Sequence, residues 1–299
     1  MKRLIKAFLL PLFFITILSV NYSLSQNFID LLNTGINYNP ENKYEETDST
    51  FKFSHTFLNI QYPKVFENKD IFLTKLSLNQ YTLNDGKTLN MYICYLQLGM
   101  LKHISEKTSL RFAVSPKIAS QFKDIESNDF VIPVIANFQI KKSDKLEWGL
   151  GLMYSYEYFG HFLNPVIYAK WKINDNWTFY SDFPSYGYLM YNPDRKFKTG
   201  IYVSSSTTTI RLSNEYNSAY IQKSYADLSL FFDVYLTKSI VVRAKGGYST
   251  MRALDMYAEN DKVPFTFSLF EFDDNRSQLN RDINDALFFE ISLNYRYHY

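Results

Sequence analysis

Cysteine occurs once in the 299 residues, at Cys94, so no disulfide can form within the chain. Histidine occurs four times, as His55, His103, His161 and His298, and never at the His-x-x-x-His spacing of a metal site. No Gly-x-Ser-x-Gly elbow is present. Asp273-Asp274-Asn275 lacks the spacing of a calcium loop and reads as a solvated tip. No metal, cofactor or catalytic residue is expected. Glycine (10) and proline (9) are scarce, which excludes collagen-like and low-complexity chains. An excess of one charge is also missing, with 32 bases against 30 acids. Nothing therefore points to nucleic acid or to a strongly charged partner. Past residue 26 no apolar stretch reaches 18 residues, so the mature chain is not expected to cross a membrane with helices.

Aromatic mass is what the chain has instead. It carries 25 Tyr and 26 Phe, and aromatic residues make up 18% of the sequence. That load suits strands whose rings sit at membrane interfaces. The pattern is cleanest at the C-terminus. Phe289, Ile291, Leu293, Tyr295, Tyr297 and Tyr299 alternate with Glu290, Ser292, Asn294, Arg296 and His298. Side chains of a strand alternate faces, so one face is wholly apolar and the other wholly polar. In a transmembrane barrel the apolar face meets lipid and the polar face looks into the lumen. A strand ending on an aromatic residue also resembles the signal that barrel-assembly machinery reads.

The N-terminus begins with Lys2, Arg3 and Lys6, then an apolar run from Ala7 to Val20, then Ser23-Leu24-Ser25-Gln26. This reads as a secretory signal peptide over residues 1–25, with a barrel over 26–299. The apolar run is short of the ~20 residues that a spanning helix needs. Removing three bases and no acids leaves 29 against 30, a net charge of −1.

Runs of about ten strand-like residues then recur between polar turns. They are read at 29–38, 51–62, 71–81, 89–101, 109–119, 130–140, 146–158, 163–173, 177–183, 225–236 and 240–250, before the final strand. Asn84-Asp85-Gly86 is a hairpin signal. The region 184–220 is ambiguous, with strand-like runs at 186–191, 197–203 and 208–216. It makes the strand number 14 if it adds two strands and 12 if it is a loop. Short connections at 103–107, 141–145, 174–176 and 237–239 alternate with longer ones at 39–50, 120–129 and 253–284, though 159–162 is short. The fold expected is all-β, a single antiparallel transmembrane barrel of 12–14 strands. A sandwich of two sheets also alternates. Strands of 11 to 13 residues with tyrosines at both ends fit a lipid band better.

The signal ending Ser23-Leu24-Ser25-Gln26, the run from Asn164 to Trp177, the segment Phe183-Pro184-Ser185-Tyr186-Gly187-Tyr188-Leu189-Met190-Tyr191 and the last strand together resemble the uncharacterised outer-membrane β-barrel families common in Bacteroidetes. The resemblance spans most of the mature chain. It implies location and fold and carries no catalytic residue. No long plug region precedes the first strand and no periplasmic domain follows the last, so receptors of those designs are not expected.

Face assignment yields a set of expected lumen-facing residues. The acids are Glu147, Glu157, Asp182, Asp227, Asp233 and Glu290. The bases are Arg111, Lys117, Lys170, Lys172, Arg243, Lys245 and Arg296. An Arg or Lys on the lipid face near the midplane would cost about 2–4 kcal/mol, which favours the inward assignment. A balanced set of this kind serves an ion-paired filling or a wet passage equally well. Three functions remain open: a channel for a small or hydrophobic solute, a structural or surface-interaction barrel, and an enzyme acting on lipid through His55 or His161 with a serine. The enzyme is not expected. Outer-membrane lipid and the assembly machinery are the expected partners. The loop Val263–Phe272 alternates Phe265, Phe267 and Leu269 with Thr266 and Ser268. It reads as a strand extension above the membrane, or as a loop folded inward over an apolar site.

Overall fold

The computed structural model describes residues 28–194 and 196–298. The expected signal segment 1–25 and Tyr299 lie outside the described residues. Among the described residues the regular structure is eighteen strands and two short 3-10 turns. Strands β1 (Phe28–Lys43), β2 (Thr50–Val65), β3 (Ile71–Asp85) and β4 (Lys87–His103) run up and down in register. Gly86, at φ +74°, makes the tight β3–β4 turn that the Asn-Asp-Gly signal anticipates.

The next two wall strands are each broken by a proline. β5 (Thr108–Val114) and β6 (Lys117–Ser120) both pair with β4, on either side of Pro116. β7 (Phe130–Val131) and β8 (Val134–Ser143) pair with them in turn, on either side of Pro133. Proline donates no ladder bond, so the strand assignment lapses there. Its carbonyl still accepts: Leu96 N donates to Pro116 O at 3.0 Å, and Ser115 N to Pro133 O at 2.9 Å.

The wall continues through β9 (Leu146–Glu157), β10 (Gly160–Lys172), β11 (Trp177–Phe183), β12 (Tyr186–Tyr191), β13 (Phe197–Arg211), β14 (Tyr220–Tyr235) and β15 (Ile240–Tyr257). A hairpin of β16 (Val263–Phe267) and β17 (Phe270–Phe272) follows, and then β18 (Ala286–His298). β18 pairs with β15 on one edge and with β1 on the other, from Phe28↔His298 to Tyr38↔Phe289. That pairing closes a ring of fourteen antiparallel strands, with β5/β6 and β7/β8 each counted once and β16–β17 outside the count. It is the larger of the two expected strand numbers. Closure leaves no open edge to satisfy.

The ring is apolar outside and polar inside. On β18, Leu287, Phe289, Ile291, Leu293, Tyr295 and Tyr297 are 44–56% exposed, whereas Phe288, Ser292, Asn294 and Arg296 are at most 3% exposed. The same holds on β9, where Trp148, Leu150, Leu152, Tyr154 and Tyr156 are exposed and Ser155 and Glu157 are buried. In a water-soluble protein this arrangement would place the apolar surface on the wrong side.

Connection lengths separate the two ends only in part. The end that holds Phe28 and His298 has turns at 66–70, 104–107, 144–145, 173–176, 192–196 and 236–239. The other end has long links at 44–49, 121–129, 212–219 and 258–285, but also tight turns at Gly86, 158–159 and 184–185. The last of these caps β11 and β12, of 7 and 6 residues. A barrel strand needs about 9–11 residues to span a bilayer. The β16–β17 hairpin makes good the shortfall. β16 adds in parallel to β10 from Gly160↔Val263 to Leu163↔Phe267, just above the point where β11 ends. Phe265 and Phe267 are turned out and exposed, and Thr266 is buried. This long loop is thus an extension of the wall and not an inward fold.

Candidate functional site: a stoppered mouth above a polar chamber

At the long-loop end the chain crosses its own mouth. The upper half of β13 outruns the short β12, leaves the wall and reaches the far side of the ring. There Arg211 forms a parallel bridge with Ser120 of β6. The β13–β14 tip is held across the mouth by buried locks. Lys117 Nζ donates to both Glu157 oxygens at 2.8 and 2.9 Å and to Thr208 Oγ1 at 2.6 Å. Glu157 also accepts from Ser155 Oγ at 2.9 Å, from Thr209 N at 3.1 Å and from Thr209 Oγ1 at 2.9 Å. Arg211 grips Asp129 at 2.5 and 3.1 Å and also donates to the Asp124 carbonyl. Gln121 and Asp124 cap the backbone N–H groups of Ser213 and Asn214 at 2.8 and 2.7 Å.

Apolar packing fills the space around the locks. Phe51, Phe53, Tyr81, Met91, Ile93 and Ala119 from one side of the ring meet Ile210, Leu212, Ile221 and Leu254 from the other. A second cluster, Tyr158, Phe159, Phe162, Tyr220 and Tyr257, lies between the tip and β10. The 258–285 link closes over the outside, with Arg276 donating to Gln222 at 2.7 Å and Gln222 donating to Glu271 at 2.7 Å.

Below this stopper the inward side chains are mostly polar, and several ion-paired ones keep 11–22% of their surface exposed. Arg111 makes a bidentate pair with Asp182 at 3.0 and 2.6 Å, and those two residues come from strands that are not neighbours. Lys245 pairs with Glu290 at 2.9 Å. Arg243 pairs with Asp233 at 2.6 and 2.8 Å. Arg296, fully buried, bonds Asp30 at 2.6 and 3.1 Å, Asp233 at 2.9 Å and Tyr235 at 2.7 Å, and lies 3.8 Å from the Phe28 ring centre. Glu147 accepts from Tyr168 at 3.4 Å and stands opposite Lys170 in the β9–β10 register. Asp227 stands opposite Ser249. Lys172 sits lower, at the turn, 3.6 Å from Asp175. Of the thirteen residues singled out from the sequence, Lys117 and Glu157 thus belong to the stopper and Lys172 to a turn. The others gather in or beside the chamber.

Several partners escape a reading by alternation. Asp30 sits at a register shift between Asp30 and Leu32, which breaks the count of faces. Asp129 lies in a link and Arg211 in the ambiguous region. Lys198 and Lys223 are buried at inward positions of β13 and β14, with Lys198 over the Phe28 and Tyr235 rings and Lys223 over Tyr81 and Tyr225. His55 bonds Asn79 at 2.9 Å and stacks on Tyr81, while His161 bonds Tyr154 at 2.8 Å on the outer surface. Among the described residues neither is hydrogen-bonded to a serine. Asp274 is tied to Arg276 at 2.8 and 3.0 Å.

Solved structures with a similar chain path include a NanC porin, 11% identical, with 88% of this chain and 98% of that chain covered at a TM-score of 0.40. A deltaS2 mutant of the TodX monoaromatic hydrocarbon channel is 7% identical, with 92% and 90% covered at 0.39. A triple mutant of the Rhodopseudomonas blastica porin is 6% identical, with 91% and 100% covered at 0.25. Likenesses this distant carry no argument about solute or mechanism, and the barrel stands on its own strand register. No curated protein matches the sequence. A family described as a domain of unknown function (DUF6268) matches residues 37–296, and the chain belongs to that family.

Proposed function

We propose that this family member is an integral outer-membrane barrel that passes a small solute through its interior, with an outer mouth that is shut in the state described here. The single observation that carries the reading is the chamber. Arg111, Asp182, Arg243, Lys245 and Glu290 inside the ring keep 11–22% of their surface exposed, whereas a purely structural filling would bury them as it buries Arg296. The exposed apolar band supports lipid as the partner around the barrel. Removal of the leader at residues 1–25, insertion by the assembly machinery through the last strand and an origin in Bacteroidetes belong to the same reading. The stopper favours a second one, a structural or surface barrel that never opens.

Reconstitution in planar bilayers separates the two. A variant with the tip lock weakened, Glu157→Gln, is expected to show discrete current steps far more often than wild type. No steps from either protein, with both folded and inserted, would leave the structural barrel standing.

A further inference from the structure

The two facing walls of the chamber are both built from neutral groups that donate and accept hydrogen bonds. On β10 to β13 the inward positions carry Tyr168, Tyr180, Tyr186, Tyr188 and Tyr202. Tyr180 stacks on Tyr186 and on Tyr188, each at 5.4 Å, and Tyr186 stacks on Tyr202 at 6.0 Å, with interplanar angles of 10–21°. Rings stacked in this way stand like books on a shelf. Their faces are turned to one another, and Tyr202 also has Lys245 Nζ at 4.1 Å from its ring centre. What they offer the chamber is ring edges and hydroxyls.

Across the ring, β18, β1, β2 and β3 carry a relay of amides. Asn33 donates to Asn294 at 2.7 Å, Asn59 to Asn33 at 3.1 Å, Ser77 to Asn59 at 2.7 Å and Asn79 to Ser77 at 3.0 Å, and His55 completes it at 2.9 Å from Asn79. Six of the charges between the walls are matched in pairs, as Arg111–Asp182, Lys245–Glu290 and Arg243–Asp233.

We infer that the chamber binds a neutral, hydroxyl-rich solute of the saccharide class. This rests on the reading of the barrel as a passage. A charged solute would have to compete with ion pairs that already satisfy each other. An apolar solute would strip water from phenols and amides and return no hydrogen bond. A hydroxyl group donates and accepts, as phenols and carboxamides together do, so a polyol exchanges its bonds with water for bonds with both walls. A site built to hydrogen-bond hydroxyls rejects ligands that lack them.

Equilibrium dialysis of the full chain in detergent, with labelled maltotriose, measures binding by wild type and by the Glu157→Gln variant, in which the mouth is expected to open. Saturable binding is expected, and Tyr186→Phe/Tyr188→Phe should weaken it about tenfold, the scale of losing one or two neutral hydrogen bonds. Tyr248→Phe, on the outer surface, should leave it unchanged. In the bilayer, maltotriose should block the current of the Glu157→Gln variant, whereas glutamate and benzyl alcohol at the same concentration should not. Current steps without maltotriose binding, or binding indifferent to the tyrosine pair, would overturn the saccharide assignment and leave the channel standing. Binding by a barrel that never conducts would overturn the channel and leave the saccharide site. Neither binding nor current would end both.

Discussion

Glu157→Gln should raise the open probability of the mouth, and the size of the effect follows from what the carboxylate holds. Five hydrogen bonds converge on Glu157, two from Lys117, two from Thr209 and one from Ser155. The Lys117 and Glu157 side chains are only 9% and 3% exposed. Removing one partner of a buried pair costs about 3–5 kcal/mol, because the other charge is left without compensation. The closed state bears that cost, since withdrawal of the tip hydrates Lys117. At 1.4 kcal/mol per factor of ten, the ratio of open to closed mouths should rise by about 100- to 4,000-fold. Holding the tip in place there is also apolar burial. Ile210, Leu212 and Ile221 are at most 4% exposed. At about 1.5–3 kcal/mol for each fully buried side chain, they keep the wild-type mouth shut nearly all the time. Single-channel recording reads the ratio directly. The double variant Lys117→Met/Glu157→Gln is the sharper check, because it removes both charges and leaves neither orphaned. It should stay closer to wild type than Glu157→Gln does. If single and double variants open equally often, an uncompensated charge is not what drives opening, and the reasoning fails.

Three further outcomes are expected. Leu150→Lys, on the outward face of β9, should destabilise the barrel in lipid by about 2–4 kcal/mol, read from its unfolding midpoint in urea; a neutral result would place Leu150 in water. Gly151→Val should prevent assembly, because a Cβ at Gly151 would lie 2.2 Å from Ala136 O and 2.6 Å from Asn137 Cα, and both belong to the paired strand; a folded, heat-stable Gly151→Val barrel would mean that β8 and β9 are farther apart. Met91→Ala, fully buried in the stopper, should cost about 2–5 kcal/mol of stability and also make the mouth leakier. A stable Met91→Ala variant with wild-type closure would count against a packed stopper.

The wall was readable from residues because lipid and lumen impose opposite chemistries on alternate positions. Strands at 177–183 and 186–191 stand at the expected bounds, and 146–157 differs from expectation by one residue. Most other strands run a few residues past the expected ends, since pairing persists where the apolar alternation has faded. The reading broke down where that contrast vanishes. β13 is one strand, Phe197–Arg211, where two separate runs were read at 197–203 and 208–216. Its middle, from Ser204 to Thr209, is hydroxylated on both faces. That half of the strand has left the wall and serves the locks, so no lipid face marks it. The ion pairs were partly legible as a balanced set of charges. Which acid meets which base was not, because Arg111 reaches Asp182 across the interior and Arg211 reaches a link far away in sequence.

The level at which the interior changes from stopper to chamber is nevertheless written along single strands. On β2 the inward positions pass from Phe51 and Phe53 to His55, Phe57 and Asn59, on β4 from Met91 and Ile93 to Tyr95 and Gln97, and on β14 from Ile221 to Lys223, Tyr225 and Asp227. Beside the stopper the outward positions of these strands are polar, Lys52, Ser54 and Thr56 on β2 and Thr88 and Asn90 on β4, and they turn apolar only lower down, at Leu58, Ile60, Leu96 and Leu98. Consecutive apolar inward residues opposite polar outward ones therefore mark the wall beside the stopper. This has a consequence for opening. Only the tip can withdraw, taking Ile210, Leu212 and Ile221 with it, while Phe51, Phe53, Met91 and Ile93 remain fixed in the ring. The opened mouth would be a hydrophobic constriction, and constrictions of that kind gate by drying until they are wide enough to hold water. Replacing Ile93 with Ser should then let a mouth with the tip withdrawn conduct at smaller displacements, giving current steps of lower threshold in the Glu157→Gln background. Steps unchanged by Ile93→Ser would show that the lock, and not the dryness of the mouth, sets the barrier.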